Sequence, residues 1–396
     1  MIKNVIIKMF LTNTVFRGLS AINQIVPKNQ DLVLLYSNMG FRDNVAYIYD
    51  YMISEKYNEK YQIIRSQNES YRGVVPTNVK IVSNMRAIKY FLRAGHVFYA
   101  FGKLPIYPAK NQKVVQMWHG SPFKGVDKRQ LVENANKKKK SYYTNVFSTS
   151  KIFNEFWSKE FDCGIERISI CGHPRTDVMI KPYSKDDLNL NDLKLIMWMP
   201  TFRKSKILGY NDVDSADDIL PVVKNEDFYK LNEMLKQKKC LLWIKLHPMQ
   251  DLDRYKEEDF SNIIIQSSDN FNAMGLDLYR LLASSDALIT DYSSVFYDFM
   301  LMNRPIAFTV DDYEEYKDGR GFAVEDPDYY RTGPKIQTIE DLFSFITQVS
   351  NGKDEWQEKR EKVNSEVNYF RDFKNCKRAL KIGGVELKRS PANKRQ

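Results

Sequence analysis

Short apolar runs recur along this chain, rich in Val and Ile, and polar segments long enough for a helix lie between them. Such runs suit strands buried on both faces of a parallel sheet, and the polar segments suit the crossover helices that parallel pairing requires. One series comprises Leu32–Tyr36, Tyr61–Ile64, Val97–Ala100, Val114–Trp118, Val146–Ser148 and Ile168–Cys171. A second comprises Leu195–Met199, Leu241–Leu246, Ile263–Ile265, Ala287–Thr290 and Ile306–Val310. Between residues 176 and 193 the pattern lapses into Lys181-Pro182-Tyr183-Ser184 and an Asp/Asn-rich stretch, which reads as a linker. At 396 residues the chain exceeds one ordinary core. The expectation is an α/β protein of two domains, residues 1–180 and 190–375, with a basic tail at 376–396. Helices expected over roughly 339–381 are candidates to cross back to the first domain, and no internal repeat is found.

Charge separates the two halves. Residues 1–180 carry 27 Lys and Arg against 13 Asp and Glu, whereas the remainder carries 33 against 37. A basic first half suits anionic material such as phospholipid, polyphosphate or nucleic acid. The four lysines Lys137–Lys140 are not accompanied by an aromatic RNA-binding motif or a helix-turn-helix pattern, so no nucleic-acid partner is expected. A membrane phosphate patch is the alternative use of that run. No stretch of about 18 apolar residues exists, so no transmembrane helix is expected. Near the start, Ile2, Val5, Ile6, Met9 and Phe10 fall close to helical spacing and Leu19, Ile22 and Ile25 continue it, with Lys3, Lys8, Arg17 and Lys28 as the charges. That stretch is either an interfacial amphipathic helix or a helix packed on its own domain. It lacks a small-residue cleavage site for a signal peptide. Cys163, Cys171, Cys240 and Cys376 are widely spaced, without a CxxC pair, which points to free thiols in a reducing compartment.

In doubly wound sheets, ligands gather at the carboxyl ends of strands. Polar clusters follow several predicted strands: Trp118-His119-Gly120-Ser121-Pro122, Gly172-His173-Pro174-Arg175-Thr176-Asp177, Pro200-Thr201-Phe202-Arg203, Lys245-Leu246-His247-Pro248 and Asp291-Tyr292-Ser293-Ser294. Three of the four histidines lie in these clusters, and His96, outside them, reads as structural. Asp291 to Ser294 end a strand and open the apolar segment Val295–Phe299. Free N–H groups and two hydroxyls there could cradle a diphosphate, and plain N-capping is the competing reading. An imidazole at His119 could take a proton from a hydroxyl, with Lys124, Lys128 and Arg129 beyond it to hold anions. Equally, a histidine in a turn can be structural. Lys245 and His247 alternate onto one side of their strand. Asp212-Val213-Asp214 has the form of a metal-binding DxD pair but sits in a polar loop, where solvation explains it.

Taken together, these pieces resemble the CDP-glycerol glycerophosphotransferase family of teichoic-acid primases and polymerases. The similarity runs from about residue 95 to 375 and includes Arg304-Pro305-Ile306-Ala307-Phe308 and the segment from Tyr313 to Phe322. It implies a GT-B fold, two Rossmann-like domains with parallel sheets facing across a cleft. It implies a donor, CDP-glycerol or CDP-ribitol, bound mainly by the C-terminal domain. His119 then stands as the base and His247 as a donor-side catalytic histidine. Thr201, Arg203, Lys245, Asp291, Ser293, Ser294 and Arg320 are the further donor contacts. Lys124, Lys128, Arg129 and Arg175 are the acceptor contacts. The implied reaction moves polyol phosphate, glycerol phosphate foremost, to a hydroxyl of a lipid-linked teichoic-acid or capsule acceptor and releases CMP. No cofactor and no metal are expected, and the implied location is peripheral, on the cytoplasmic face of the membrane. The competing functions are a GT-B enzyme using a nucleotide sugar and a non-catalytic binder of anionic polymers.

Overall fold

The computed structural model describes residues 14–71, 73–125, 141–201, 220–246, 260–266, 271, 273–319 and 321–387. They divide into two compact units. Unit 1 draws on Met1–Gly120, Asn136–Asp177 and Asp372–Gln396, and unit 2 on Ser121–Ala135 and Val178–Arg371.

Unit 1 holds β1 (Asn29–Tyr36), β2 (Gln62–Ser66), β3 (Val79–Val82), β4 (Ala94–Tyr99), β5 (Lys113–Gln116), β6 (Asn145–Ser148) and β7 (Ile168–Ile170). The order is β3-β2-β1-β4-β5-β6-β7, parallel throughout. Unit 2 holds β8 (Lys194–Met199), β9 (Cys240–Lys245), β10 (Ile263–Gln266), β11 (Ala287–Thr290), β12 (Ile306–Thr309) and β13 (Lys335–Ile336). Its order is β10-β9-β8-β11-β12-β13, again parallel. Both sheets are parallel, as the apolar runs led one to expect, and both wind outward in two directions from their first strand. The direction reverses between β1 and β4 in one unit and between β8 and β11 in the other, where doubly wound sheets open a crevice beyond the strand ends.

The central strands are buried because both faces are covered. In unit 2, Ile196, Trp198, Leu242, Ile244 and Ile289 pack with Phe228, Leu231 and Leu235 of the helix Phe228–Gln237, and with Leu342, Phe345 and Ile346 of the helix Ile339–Ser350. Spacings of three and four residues line each helix with one apolar stripe. Each such side chain removed from water contributes about 1.5–3 kcal/mol. Two strands lie outside the runs read from sequence. β3 alternates a buried Val79 with an exposed Lys80, and β13 spans two residues, too short to show a period.

Three local readings change. Residues 375–387 belong to unit 1 and not to a tail: the helix Asn375–Ile382 buries Cys376, Ala379 and Leu380, with Val385 beyond it, against Val33, Leu35 and Phe98. Ser121–Gly125 packs with unit 2, although its sequence neighbour His119 belongs to unit 1. The helix Val15–Ile25 is neither fully core nor free. It buries Ser20 and Asn23, whose amide donates to the Tyr107 carbonyl and to Gln112 Oε1, both at 2.9 Å. Its aliphatic side chains Val15, Ile22 and Ile25 stay 49%, 45% and 81% exposed. Residues 1–13, Lys137–Lys140, the Asp212 and Asp214 loop, and residues 388–396 lie outside the described residues.

Candidate active-site residues

In unit 1 the Trp118-His119 turn leaves β5 beside the end of β4. Tyr99 pairs with Gln116, and the Met117 amide donates to the Tyr99 carbonyl at 2.9 Å. The register carries His119 back over Phe101, ring on ring, at 4.4 Å and 19°. Trp118 adopts φ +57°, a region costly for a bulky side chain. Two residues hold the turn in that state. Asn44 donates to the Trp118 carbonyl at 2.8 Å, and Arg175 donates through Nη1 to the His119 carbonyl at 2.7 Å. Arg175 also pairs with Asp43 at 2.7 Å. Asp43 itself has φ +59° and ψ −152°, backbone that is otherwise nearly confined to glycine. Strain at both Asp43 and Trp118, held by one hydrogen-bonded network, marks a preorganised turn.

The His119 imidazole is half-buried, and its Nδ1 is enclosed without a hydrogen-bond partner. Burial pushes its pKa down to about 4; Asp43 opposes this, while Arg175 and Arg42 reinforce it. His173 is pushed lower, to about 3, by burial and by Arg175, and its Nδ1 lies 3.5 Å from the Asn44 amide. Both rings are therefore neutral at physiological pH, able to accept a proton and carrying no charge. His96, structural as expected, lies between the carbonyls of Gly383 and Gln30, at 2.7 and 2.9 Å.

The segment Gly172–Asp177 organises unit 1. A Cβ on Gly172 would fall 2.4 Å from the Asn375 side chain, so any larger residue would displace that side chain. Thr176 accepts from Asn375 Nδ2 at 3.1 Å. The Asp177 carboxylate takes the amides of Asn375 and Cys376 at 2.8 and 2.7 Å, capping a helix distant in sequence. Arg175, expected at the acceptor, is 4% exposed and holds the His119 turn from behind.

In unit 2, β8 pairs with β11 so that Met199 lies beside Thr290. The residues just beyond meet in consequence. Thr201 donates from its amide and hydroxyl to Asp291 Oδ2 at 2.7 and 3.0 Å. Asp291 Oδ1 takes the Tyr292 and Ser293 amides at 2.5 and 3.2 Å. Asp291 is fully buried with both carboxylate oxygens occupied, so it shapes the turn. Ser293 and Ser294 remain half-exposed ahead of the helix Val295–Phe299. Lys245 ends β9 next to Ile244, the partner of Trp198, with its ammonium 5.9 Å from the Phe271 ring. Lys124 is drawn into unit 2 by an antiparallel bridge to Phe322. Arg203, His247, Arg320, Lys128 and Arg129 lie outside the described residues. Among the described residues no three His, Cys, Asp or Glu side chains converge as a metal site.

Sequence reasoning missed Asp43 and Asn44. The signal was present: a short polar segment with Gly40 follows β1 at the point where the winding reverses, and Asp43 caps the next helix, Asn44–Ser54.

The model of the CDP-glycerol:poly(glycerophosphate) glycerophosphotransferase family matches residues 19–382. The teichoic acid poly(glycerol phosphate) polymerase of Bacillus spizizenii is 28% identical over 375 residues, covering 83% of this chain and 86% of its own. The teichoic acid glycerol-phosphate transferase of Staphylococcus aureus is 24% identical, with 91% and 94% covered. The teichoic acid poly(ribitol-phosphate) polymerase of Bacillus spizizenii is 27% identical over 85% of this chain, which spans about half, 52%, of that relative's length. Among solved structures, the wall teichoic acid polymerase TagF superposes with a TM-score of 0.70 over 96% of this chain and 95% of its own, at 22% identity. That likeness establishes the fold, GT-B-like with two parallel-sheet units.

Proposed function

This chain belongs to the CDP-glycerol:poly(glycerophosphate) glycerophosphotransferase family, and from that membership we propose that it transfers a polyol phosphate from a CDP-polyol to a hydroxyl of a teichoic-acid-like acceptor. Glycerol phosphate is the first choice of group, because the family description and the relatives covered most fully by the match both name it. Ribitol phosphate is the second, from the ribitol polymerase.

The acceptor hydroxyl attacks the phosphorus that bears the polyol, the new P–O bond forms, the bridge to the cytidine phosphate breaks, and CMP leaves. His119 receives the hydroxyl proton. The observation that carries this role is a neutral imidazole held at the end of β5 in a strained, hydrogen-bonded turn. In a loose phosphoryl-transfer transition state the proton moves late, so a weak base suffices. An anionic substrate beside the ring would raise its proton affinity as the reaction proceeds. In unit 2, the Ser293 and Ser294 hydroxyls donate to the diphosphate and the Lys245 ammonium offsets its charge, with His247, Arg203 and Arg320 as further contacts, while Thr201 and Asp291 set the turn. Lys124, Lys128 and Arg129 serve the acceptor in this reading. Transfer needs no resident metal in the same reading, so activity withstands a chelator.

A lipid-linked acceptor places the enzyme at the cytoplasmic face of the membrane. Support comes from the basic first 180 residues and from the helix Val15–Ile25, whose aliphatic side chains face outward beside Arg17. Among the described residues no helix is long and apolar enough to cross a membrane.

The deciding measurement is CMP release, with CDP-glycerol, CDP-ribitol and UDP-sugars offered in turn together with a teichoic-acid primer. Release from one CDP-polyol supports the proposal. Turnover of a UDP-sugar alone would replace it with a glycosyltransferase.

A further inference from the structure

Arg331 is an anomaly in unit 2. Its side chain is 1% exposed, yet only Nη1 has a partner, Asp328 at 2.6 Å, while Nε and Nη2 are buried without one. Four rings surround the guanidinium: Tyr313 at 4.9 Å, Phe322 at 5.3 Å, Phe123 at 5.6 Å and Tyr292 at 5.8 Å. Each comes from a segment already discussed. Tyr292 begins the serine turn, Phe123 follows the His119 turn in sequence, and Tyr313 and Phe322 flank the segment that contains Arg320. Phe123 is tied to this group by backbone, since the Ala323 amide donates to its carbonyl at 3.0 Å and the Gly125 amide to the Gly321 carbonyl at 2.8 Å. Close approach fixes the backbone beside Arg331. A Cβ on Gly333 would fall 1.7 Å from the Ile306 carbonyl oxygen, so the chain just after Arg331 lies against β12.

Leaving a buried guanidinium half-paired is costly unless something offsets it. The aromatic faces do so in part. The surrounding charge completes the account. The serine turn is built on buried Asp291, and the Tyr292 hydroxyl donates to Asp312 at 2.7 Å. A cation held 5.8 Å from the Tyr292 ring raises the potential at this turn, where an anion would be received. Nearby, Asp328 is shared by Arg331 and Lys335.

We propose that Arg331 is a positioning residue for the donor, a buried countercharge that makes the Tyr292–Ser294 turn receptive to a nucleoside diphosphate and clamps Phe123, Tyr313 and Phe322 around it. The inference rests on the function proposed above and extends it to a residue outside the recognised motifs.

Calorimetry with CDP, common to both candidate donors, and with uncharged cytidine separates charge from packing. Arg331→Met fills the ring cage without charge, and CDP affinity falls about tenfold while cytidine affinity holds. Arg331→Lys keeps the charge and recovers most of the CDP affinity. Asp328→Asn removes the partner but leaves the countercharge, so CDP binding stays or tightens, and this variant decides if Arg331→Met does not fold. Equal losses for CDP and cytidine, no loss with Arg331→Met, or weaker CDP binding in Asp328→Asn would each overturn the proposal. Failure of the unaltered protein to bind CDP would instead overturn the donor assignment.

Discussion

The His119 ring sits at about 4 because burial disfavours its charged form and Arg175 and Arg42 add to the effect against Asp43. A base must be deprotonated to act, so kcat/KM should stay flat as pH falls to about 5 and decline only as the free enzyme is protonated near 4. A break near 6.5 in the pH profile would mean a solvated histidine, or another base. His119→Gln should reduce turnover about a hundredfold or more while CDP affinity holds. The same shift has a stability consequence of fixed sign. The unfolded chain binds this proton first, so folding stability declines as pH falls from about 6.5 towards 4. His173 and His96, whose pKa values are also lowered by burial, act in the same direction. Denaturation midpoints across that range should fall less steeply in His119→Gln.

One carboxylate ties the start of the C-terminal helix to unit 1. Asp177 receives the first two amides of the helix Asn375–Ile382, groups that have no partner within the helix. Asp177→Ala should cost about 1–2 kcal/mol, the usual value of a lost cap. Urea unfolding followed by circular dichroism would measure it. An unchanged midpoint would mean that the apolar face of Cys376, Ala379 and Leu380 holds the helix alone. The Asp291 turn follows the same logic, since in both places a motif aspartate is consumed by backbone amides and the chemistry passes to its neighbours.

At the scale of the molecule, net positive charge and exposed aliphatics concentrate in the first part of the chain. Anionic vesicles should bind the protein more tightly than neutral ones, and salt should weaken that binding, since each basic residue near such a surface contributes about 1 kcal/mol. Ile22→Ser with Ile25→Ser alters two exposed positions, so the fold should persist while vesicle affinity falls in a sedimentation assay. Equal affinity for neutral and anionic vesicles would remove the electrostatic part, and an unaffected double variant would remove the helix from the interface. The existence of two parallel α/β units was legible in the chain alone, because buried parallel strands must be continuous apolar runs and their crossovers must be helix-length. The motif positions were legible for a related reason: polar clusters directly after such runs fall at strand ends. Which clusters meet was not legible. Thr201 finds Asp291 only through the β8–β11 register, Arg175 finds Asp43 across 132 positions, and Asp177 finds Asn375 across 198. Ser121–Gly125 joins the unit opposite to its sequence neighbour, and Arg331 carries no motif at all. Local periodicity encodes strands and turns, whereas the meeting of distant side chains depends on strand order and close packing, which only the folded chain decides.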